Sequence, residues 1–240
     1  MSALLTPNLH GGHDACMPAQ NPVASRLSRD VIVDAYLRLV ETEDNDSVSL
    51  RRLGSELGVD PTAVYRYFRD KDEILTAAAD RLLAEVTDGL ELSGGWRDQL
   101  RDLLLALRRV YLVHPRALLA LQLAPPRLEN GFGNVERCIA LLREAGVPED
   151  EVPIAYEALE TYTIGATVFD ARATEESLAG WRQVYRMLPP DRFPNLTATA
   201  ASLYLDIDKA FRYGLDLMLD TIEARVRGLE RQANRGGAGP

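Results

Sequence analysis

The sequence has few cysteines and no long hydrophobic run. Only two of its 240 residues are cysteine, Cys16 and Cys138, which excludes a disulfide framework and predicts free thiols. No apolar stretch is long enough to cross a bilayer, and residues 1–12 lack the basic start and apolar core of a secretory signal. We therefore expect a cytoplasmic protein with no membrane partner.

Signatures of common enzyme and metal sites are also missing. The chain contains no P-loop, no Gly-x-Ser-x-Gly elbow and no Gly-x-Gly-x-x-Gly turn. Its histidines are His10, His13 and His114, and the first two share a glycine-rich segment with Cys16 that offers too few ligands for a structural zinc site. We predict that the chain is not an enzyme and has no metal site and no cofactor.

The charge balance limits how the chain can meet nucleic acid. Charged residues make up 26% and hydrophobic residues 46% of the chain, the balance of a globular protein. The net charge of −9 argues against a protein that coats DNA or an anionic membrane with its whole surface. Residues 49–71 are an exception with five basic and three acidic residues, so the acidic excess lies elsewhere and this segment can form a small basic face.

Apolar residues recur at helical spacing through most of the chain, which predicts an all-α fold. The residues suited to cap the first four helices are Ser28, Ser49, Asp60 and Asp70. Gly58 supplies the left-handed residue that ends the second helix. The third helix is predicted from Pro61 to about Phe68 and the fourth to about Gly89. Further helices are predicted at about 96–113, 116–123, 131–145, 150–172, 175–187 and 203–229.

Composition divides the chain into four segments. Residues 1–25 are rich in proline and glycine without periodicity, which predicts a disordered arm, and residues 231–240 are predicted to form a disordered tail. Between them we place a head, residues 26–72, and a larger helical body, residues 73–230.

The segment from Ser49 to Phe68 has the pattern of a helix-turn-helix motif, in which a turn containing Gly58 separates two short helices. Leu53, Leu57 and Val64 are placed to pack this pair against the first helix of the chain. The opposite face of the second helix is then free. A helix of about eight residues is about 12 Å long, which suits a major groove about 12 Å wide.

Residues 47–75 resemble the DNA-binding head of the tetracycline-repressor family of transcriptional regulators. The resemblance rests on Leu-Gly-Val at 57–59, Val-Tyr-Arg-Tyr-Phe at 64–68 and Lys-Asp-Glu-Ile-Leu at 71–75. It extends more weakly into the body, for example at Thr163-Ile164-Gly165. It implies a three-helix head on a larger C-terminal helical domain that dimerises and holds an effector.

Carried over position by position, the resemblance assigns ten residues of the head to DNA contact. They are Ser49, Arg51, Arg52, Pro61, Thr62, Ala63, Tyr65, Arg66, Tyr67 and Lys71. Arg51 is expected at a phosphate or a guanine edge, Arg52 at a phosphate, and Arg66 at guanine. Tyr65, Tyr67 and Lys71 match positions that contact the phosphate backbone. A single surface arginine is more often just solvated, so the motif as a whole supports the prediction.

A palindromic operator needs two heads, so the resemblance implies a homodimer. The interface helices of the family correspond to about residues 152–170 and 203–228 here. The second segment has an apolar stripe that includes Phe211, Leu215 and Met218. This stripe is also compatible with packing on the chain's own core, because a stripe cannot name its partner.

The family's effector site lies among the central helices. The predicted lining residues are Leu103, Leu107, Tyr111, Leu121, Cys138, Leu142, Tyr156, Glu160, Thr163 and Phe169. In members that bind magnesium–tetracycline, a drug-binding Asn and Phe would fall at Leu103 and Leu107, a metal-binding His at Leu121 and a carboxylate at Phe169. Those polar groups are missing, so we expect a largely apolar or aromatic effector. Taken alone, each lining residue is also compatible with core packing.

Together these features predict a repressor that a small molecule releases from DNA. The free dimer would hold its recognition helices about 34–36 Å apart, one turn of DNA. The effector would favour a body conformation that moves the fourth helix and the head. Two alternatives stay open: an activator or co-regulator-dependent member, and a helical small-molecule-binding protein or enzyme that has lost operator recognition.

Overall fold

The computed structural model describes residues 27–43, 47–117 and 129–236, and within these ranges the chain is all-α, as predicted. The helices are α1 Arg29–Thr42, α2 Leu50–Leu57, α3 Pro61–Val64, α4 Lys71–Thr87, α5 Trp96–Val113, α6 Glu129–Glu144, α7 Val152–Asp170, α8 Glu175–Arg186, α9 Pro194–Thr199 and α10 Ile207–Gly236. None of the described helices has the length and apolar character needed to span a membrane.

Each helix of the N-terminal head, α1 to α3, begins at the predicted side-chain cap. The Ser28 hydroxyl accepts an amide of the first turn of α1 at 3.2 Å, and the Ser49 hydroxyl accepts the Arg52 amide at 3.1 Å. The Asp60 carboxylate accepts the Thr62 amide at 2.8 Å. These oxygens bind amides that the start of a helix leaves without a partner, and so fix where each helix begins.

Helix α4 joins the head to the body. Asp70 caps it by accepting the Glu73 amide at 2.8 Å, and the Glu73 carboxylate accepts the Arg69 amide at 2.8 Å. Helix α4 packs against α1 on the head side and against α5 and α6 on the body side. It is continuous across residues 72 and 73, where the sequence predicts the border between head and body.

The body is built around α5, which packs against α4, α6, α7 and α10. Helices α6 and α7 also contact each other, so three helices enclose one part of the core. On α10, Phe211, Leu215 and Leu219 are at most 2% exposed and pack on their own chain. Of the predicted apolar stripe, Phe211 and Leu215 therefore pack on the chain's own core, whereas Met218 is half-buried and lines a groove beside α7.

Two helix ends differ from their predicted positions. Helix α3 ends at Val64 instead of Phe68, and residues 65–67 form a turn whose last carbonyl, that of Tyr67, accepts a hydrogen bond from Arg29. Helix α10 starts at Ile207 and not at 203, because Tyr204 has a φ of 54°, a left-handed conformation that a helix does not contain.

Two further differences concern the C-terminal part and the ends of the chain. The six-residue α9 is absent from the sequence prediction, because a segment this short cannot display a helical period. Residues 231–236 are helical where a tail was predicted, since residues 229–235 contain no glycine or proline that would end the helix before Gly236. The predicted arm and most of the predicted helix at 116–123 lie outside the described residues.

Candidate DNA interface and effector cluster

Helices α2 and α3 form the predicted helix-turn-helix motif. Gly58 ends α2 with a φ of 65°, and its amide donates to carbonyls of the last turn of α2. A Cβ atom on Gly54 would lie 3.1 Å from the carbonyl oxygen of Val59, so α2 and the turn approach closely. Leu53 and Val64 are at most 1% exposed and bury the inner side of the pair.

The outer side of the motif is open to solvent. Arg51, Thr62 and Arg66 are exposed, the Tyr65 ring is 56% exposed, and Lys71 is half-buried at the first position of α4. The arginines that form ion pairs in the described part of the head and in α4 are Arg29, Arg52, Arg69 and Arg81. Arg51 and Arg66 are outside this group, so their positive charges face solvent on the motif.

Asp60 fixes the start of α3. Its carboxylate accepts the Thr62 amide at 2.8 Å and the Thr62 hydroxyl at 2.6 Å. These two hydrogen bonds hold the pKa of Asp60 below its ordinary value, which keeps the cap ionised. Pro61 and Ala63 on either side of Thr62 are half-buried. The Thr62 hydroxyl proton is used within the chain, so its methyl group and oxygen lone pairs are left for a base edge.

Arg52 has a role inside the head that differs from its predicted phosphate contact. Its guanidinium lies 2.8 Å from Glu43 and 3.1 Å from Glu56, and the hydrogen bond to Glu43 is the main cause of a raised pKa of Arg52. Ser49 accepts the Arg52 amide and thereby acts as the cap of α2. A phosphate would have to displace two carboxylates from Arg52, so we place both residues among those that hold α2.

Tyr67 is also used within the head. Its hydroxyl donates to the Leu27 carbonyl at 2.7 Å, and its own carbonyl accepts from Arg29. The Arg29 guanidinium pairs with Glu73 at 3.2 Å and lies 4.0 Å from the centre of the Phe68 ring. Arg29 thus ties the end of the recognition segment to α1 and α4. No sequence signal marks this role, because an arginine in a first helical turn resembles any solvated side chain.

Eight of the ten residues predicted to line an effector site are buried or half-buried on α5, α6 and α7, and we call these eight the effector cluster. They are Leu103, Leu107, Tyr111, Cys138, Leu142, Tyr156, Glu160 and Thr163. Leu103, Leu142 and Thr163 are at most 2% exposed. Leu107, Tyr156 and Glu160 are half-buried, so the cluster retains some exposure to solvent at these three side chains.

The polar members of the effector cluster lie close together. The Tyr156 hydroxyl donates to Glu160 Oε1 at 2.5 Å. Burial, and then the Glu160 carboxylate, raise the pKa of Tyr156, and Cys138 and Tyr111 are near enough to add to this effect. Burial, with the charge of Glu160, raises the pKa of the Cys138 thiol to about 12. Glu160 is therefore a negative charge that raises the pKa of both Tyr156 and Cys138.

The other two predicted lining residues are not in the cluster. Leu121, at the position of a metal-binding His in tetracycline-binding members, lies outside the described residues. Phe169 is 67% exposed, contrary to the prediction, because it lies about 200° around α7 from the buried Thr167 two residues earlier. In the described ranges of the chain, no group of three His, Cys, Asp or Glu side chains is arranged to hold a metal ion.

Phe169 belongs to an exposed apolar face that α7 and α10 share. Ile154 is 66% exposed, Tyr213 67% and Leu217 48%. A groove of about 260 Å³ runs between the two helices. Its lining residues are Ala155, Ala158, Leu217, Met218, Thr221 and Ile222. The two segments predicted to form a dimer interface thus expose apolar side chains next to each other.

Arg108 is a buried cation that the sequence analysis did not single out. It is 3% exposed, its nitrogens lie 2.8 Å from Asp170 and 2.8 Å from Asp208, and its guanidinium lies 4.2 Å from the centre of the Phe211 ring. It joins α5 to the end of α7 and the start of α10, beside a cleft of about 400 Å³ between α5 and α10. The sequence signal that could have identified Arg108 as buried is its position on the same helix as the buried leucines of α5.

Sequence comparison relates both parts of the chain to described families. Residues 32–85 match the family described as bacterial regulatory proteins, tetR family, and residues 89–226 match the tetracyclin repressor-like C-terminal domain. The HTH-type transcriptional repressor DrrR1 of Streptomyces coeruleorubidus is 26% identical over 221 residues, which cover 87% of this chain and 82% of DrrR1. The HTH-type transcriptional repressor Rv1353c of Mycobacterium tuberculosis is 31% identical over 161 residues, 64% of this chain and 61% of that relative.

Structure comparison gives the same relationship. Apo ActR from Streptomyces coelicolor has a TM-score of 0.72 and 26% identity, and the match covers 88% of this chain and all of ActR, 100%. ActR in complex with actinorhodin has a TM-score of 0.68 and 25% identity, with 83% of this chain and 98% of ActR covered.

Proposed function

The chain belongs to the tetracycline-repressor family of DNA-binding transcriptional regulators, and on that basis we propose that it is a repressor released from DNA by a small-molecule effector. The family consists of regulators and not enzymes. The names of DrrR1 and Rv1353c support repression, and the ActR–actinorhodin complex supports control by a small molecule. We propose residues 26–72 as the operator-binding head and residues 73–230 as the effector-binding and dimerising body, working in the cytoplasm.

The observation that carries the proposal is the exposed side of the helix-turn-helix motif. Arg51 and Arg66 project there outside the ion pairs of the head, and Tyr65 is exposed between them in the sequence. Guanidinium groups bind phosphates and guanine edges, and the Thr62 methyl group suits thymine. We therefore propose DNA contact by Arg51, Arg66, Thr62, Tyr65 and Lys71, with Pro61 and Ala63 at the base edges and with Ser49, Arg52 and Tyr67 holding the motif in shape.

A homodimer through α7 and α10 would present two heads to a palindromic operator. The exposed apolar face, with Ile154, Phe169, Tyr213 and Leu217, supports this interface because a contiguous apolar patch marks a contact surface. We expect Leu217→Glu to give a monomer in analytical ultracentrifugation. Phe132→Glu, which changes a 55% exposed side chain on α6, is the matched control and should leave the dimer intact.

We propose that the effector binds at the effector cluster and acts on the head through the end of α5. Tyr111 of the cluster lies one helical turn before His114, whose Nδ1 lies 3.9 Å from Glu41 of α1. Glu41 also accepts the Ala117 amide at 3.2 Å. A displacement of Tyr111 would therefore reach α1 through His114 and Ala117. The effector shifts operator affinity only as far as it binds one of the two conformations better.

The test of DNA binding is fluorescence anisotropy with duplexes from the chain's own promoter region, at a series of salt concentrations. The double variant Arg51→Ala and Arg66→Ala should lose specific binding, and its salt slope should fall by about 0.9 for each phosphate contact removed. Arg109→Ala with Arg212→Ala removes the same charge from exposed positions of the body and serves as control. Equal losses in both double variants would refute the assigned interface. A wild-type chain that binds none of these duplexes would favour the alternative of a helical small-molecule-binding protein or enzyme.

A further inference from the structure

Helix α7 carries polar residues on the side that it buries. Tyr156, Glu160, Thr163 and Thr167 follow one another at spacings of four, three and four residues, which places them on one face of a helix. Thr163 is 0% and Thr167 1% exposed. Helices α5 and α6 pack against α7. A core-facing helix side normally carries apolar residues, so a polar row here indicates a specific use.

The hydrogen bonds of this polar row are incomplete. The Thr167 hydroxyl donates to the Thr163 carbonyl at 2.5 Å and accepts from Arg108 at 3.4 Å. The Thr163 hydroxyl oxygen is shut off from solvent and has no hydrogen-bond partner among the described residues. The Glu160 carboxylate accepts from Tyr156 on one oxygen, although a carboxylate offers about four acceptor positions. A buried polar group without a partner, here the Thr163 hydroxyl, is costly, and the half-buried Glu160 has acceptor positions left, so this row is suited to a ligand that supplies these bonds.

We propose that the effector is a neutral aromatic molecule with a phenolic hydroxyl group, which donates its proton to Glu160 and contacts Thr163, and that aromatic carboxylates are rejected. This inference rests on the proposed function, because it takes the effector cluster as the effector site. The leucines of the cluster provide apolar walls for the rings. Glu160 accepts only, so it requires a donor from its ligand.

The rejection of anions follows from the charges around the cluster. Glu160 is the only carboxylate among the eight cluster residues. Arg108, the buried cation among the described residues of α5, α6 and α7, is already held by Asp170 and Asp208 at 2.8 Å each. The raised pKa of the Cys138 thiol is consistent with this picture, because burial and Glu160 both oppose a second negative charge there. A bound carboxylate would meet the same opposition without a cation to compensate it.

The experiment compares 2-naphthol and 2-naphthoate, which share a ring system and differ at neutral pH as a neutral donor and an anion. Binding of each to the full-length protein is measured by isothermal titration calorimetry. We expect the Kd of 2-naphthol to be at least about tenfold lower than that of 2-naphthoate. A site whose acceptor needs a hydrogen-bond donor from its ligand rejects a ligand that has no donor. Glu160→Gln keeps the size and removes the charge, and should reduce the ratio below about threefold. Glu157→Gln, on the exposed side of α7, is the matched control and should leave both constants unchanged.

The outcomes separate the ligand class from the site. If Leu107→Trp, which fills the cluster, abolishes binding but wild-type protein binds 2-naphthoate as tightly as 2-naphthol, the proposed class is wrong and the site stands. If Leu107→Trp and Glu160→Gln leave the Kd values of both ligands unchanged, the effector cluster is not the binding site. The part of the proposed function that assigns effector binding to this cluster is then refuted. If wild-type protein binds no 2-naphthol at millimolar concentration, the recognition of phenols is refuted. The wild-type ratio needs no variant, so the test does not depend on how well a variant folds.

Discussion

The two carboxylates beside Arg108 allow a quantitative test of how burial sets the strength of an ion pair. Both lie 2.8 Å from the guanidinium, but the Asp170 side chain is 11% exposed and that of Asp208 is 66% exposed. Asp170→Ala should lower the free energy of unfolding by about 3 kcal/mol, because it leaves a buried charge without its main partner. This loss is at the low end of the range usually measured when one partner of a buried ion pair is removed, because Asp208 still pairs with Arg108. Asp208→Ala should cost less than about 1 kcal/mol, because water screens an exposed pair.

The measurement is urea unfolding followed by far-UV circular dichroism, with all variants at one protein concentration, because dimerisation adds to apparent stability. The double variant Arg108→Met and Asp170→Leu should recover most of the loss, since apolar residues of similar size often replace a buried ion pair without cost. Equal losses for Asp170→Ala and Asp208→Ala would show that distance, and not burial, decides the strength of these pairs. The reasoning would then be wrong.

Three further predictions concern packing, backbone and chemistry. Gly214→Ala should destabilise the protein by about 1–3 kcal/mol in thermal melts, because the new Cβ would lie 2.0 Å from the Tyr162 hydroxyl oxygen. Adding Tyr162→Phe to this variant should restore part of the lost stability. If Gly214→Ala leaves the stability unchanged, the close packing is contradicted. Gly58→Ala should cost about 1–2 kcal/mol because its φ is 65°, whereas Gly180→Ala, with open space at its Cβ, should be neutral or stabilising; the reverse order would refute the backbone argument. Burial raises the pKa of Cys138 to about 12, so the thiol is protonated at pH 8. Iodoacetamide should therefore label Cys138 in native protein at less than roughly a tenth of its labelling rate in urea, as measured by peptide mass spectrometry. Equal labelling rates would mean that the thiol is exposed.

Features set by neighbours in the chain were predictable from the sequence. Ser28, Ser49, Asp60 and Asp70 cap helices as predicted, because a cap needs only a short polar side chain and the amides two or three residues later. Gly58 adopts its left-handed turn for the same local reason. The helix-turn-helix pattern could be recognised because all of its parts lie within about twenty residues.

The roles of individual site residues were less predictable. Arg52 and Tyr67 fit a family pattern of phosphate contacts, but in the structure Arg52 also pairs with Glu43, nine residues away, and Tyr67 with Leu27, forty residues away, and such distant partners leave no pattern in the local sequence. Phe169 was assigned to the effector site by alignment of positions, whereas the helical phase of α7 turns it outward.

The amino-acid order alone determined most of the helical segments, the caps at which the first four helices begin, and that a helix-turn-helix head precedes a helical body. These properties depend on hydrogen bonds and apolar periodicity within one turn to a few turns of chain. Only the tertiary structure decided that Arg108 is buried between Asp170 and Asp208, that α10 turns Phe211 inward and Leu217 outward, and that Thr163 lacks a partner. Those outcomes depend on helices that are distant in sequence and meet only when the chain packs, so no local pattern contains them.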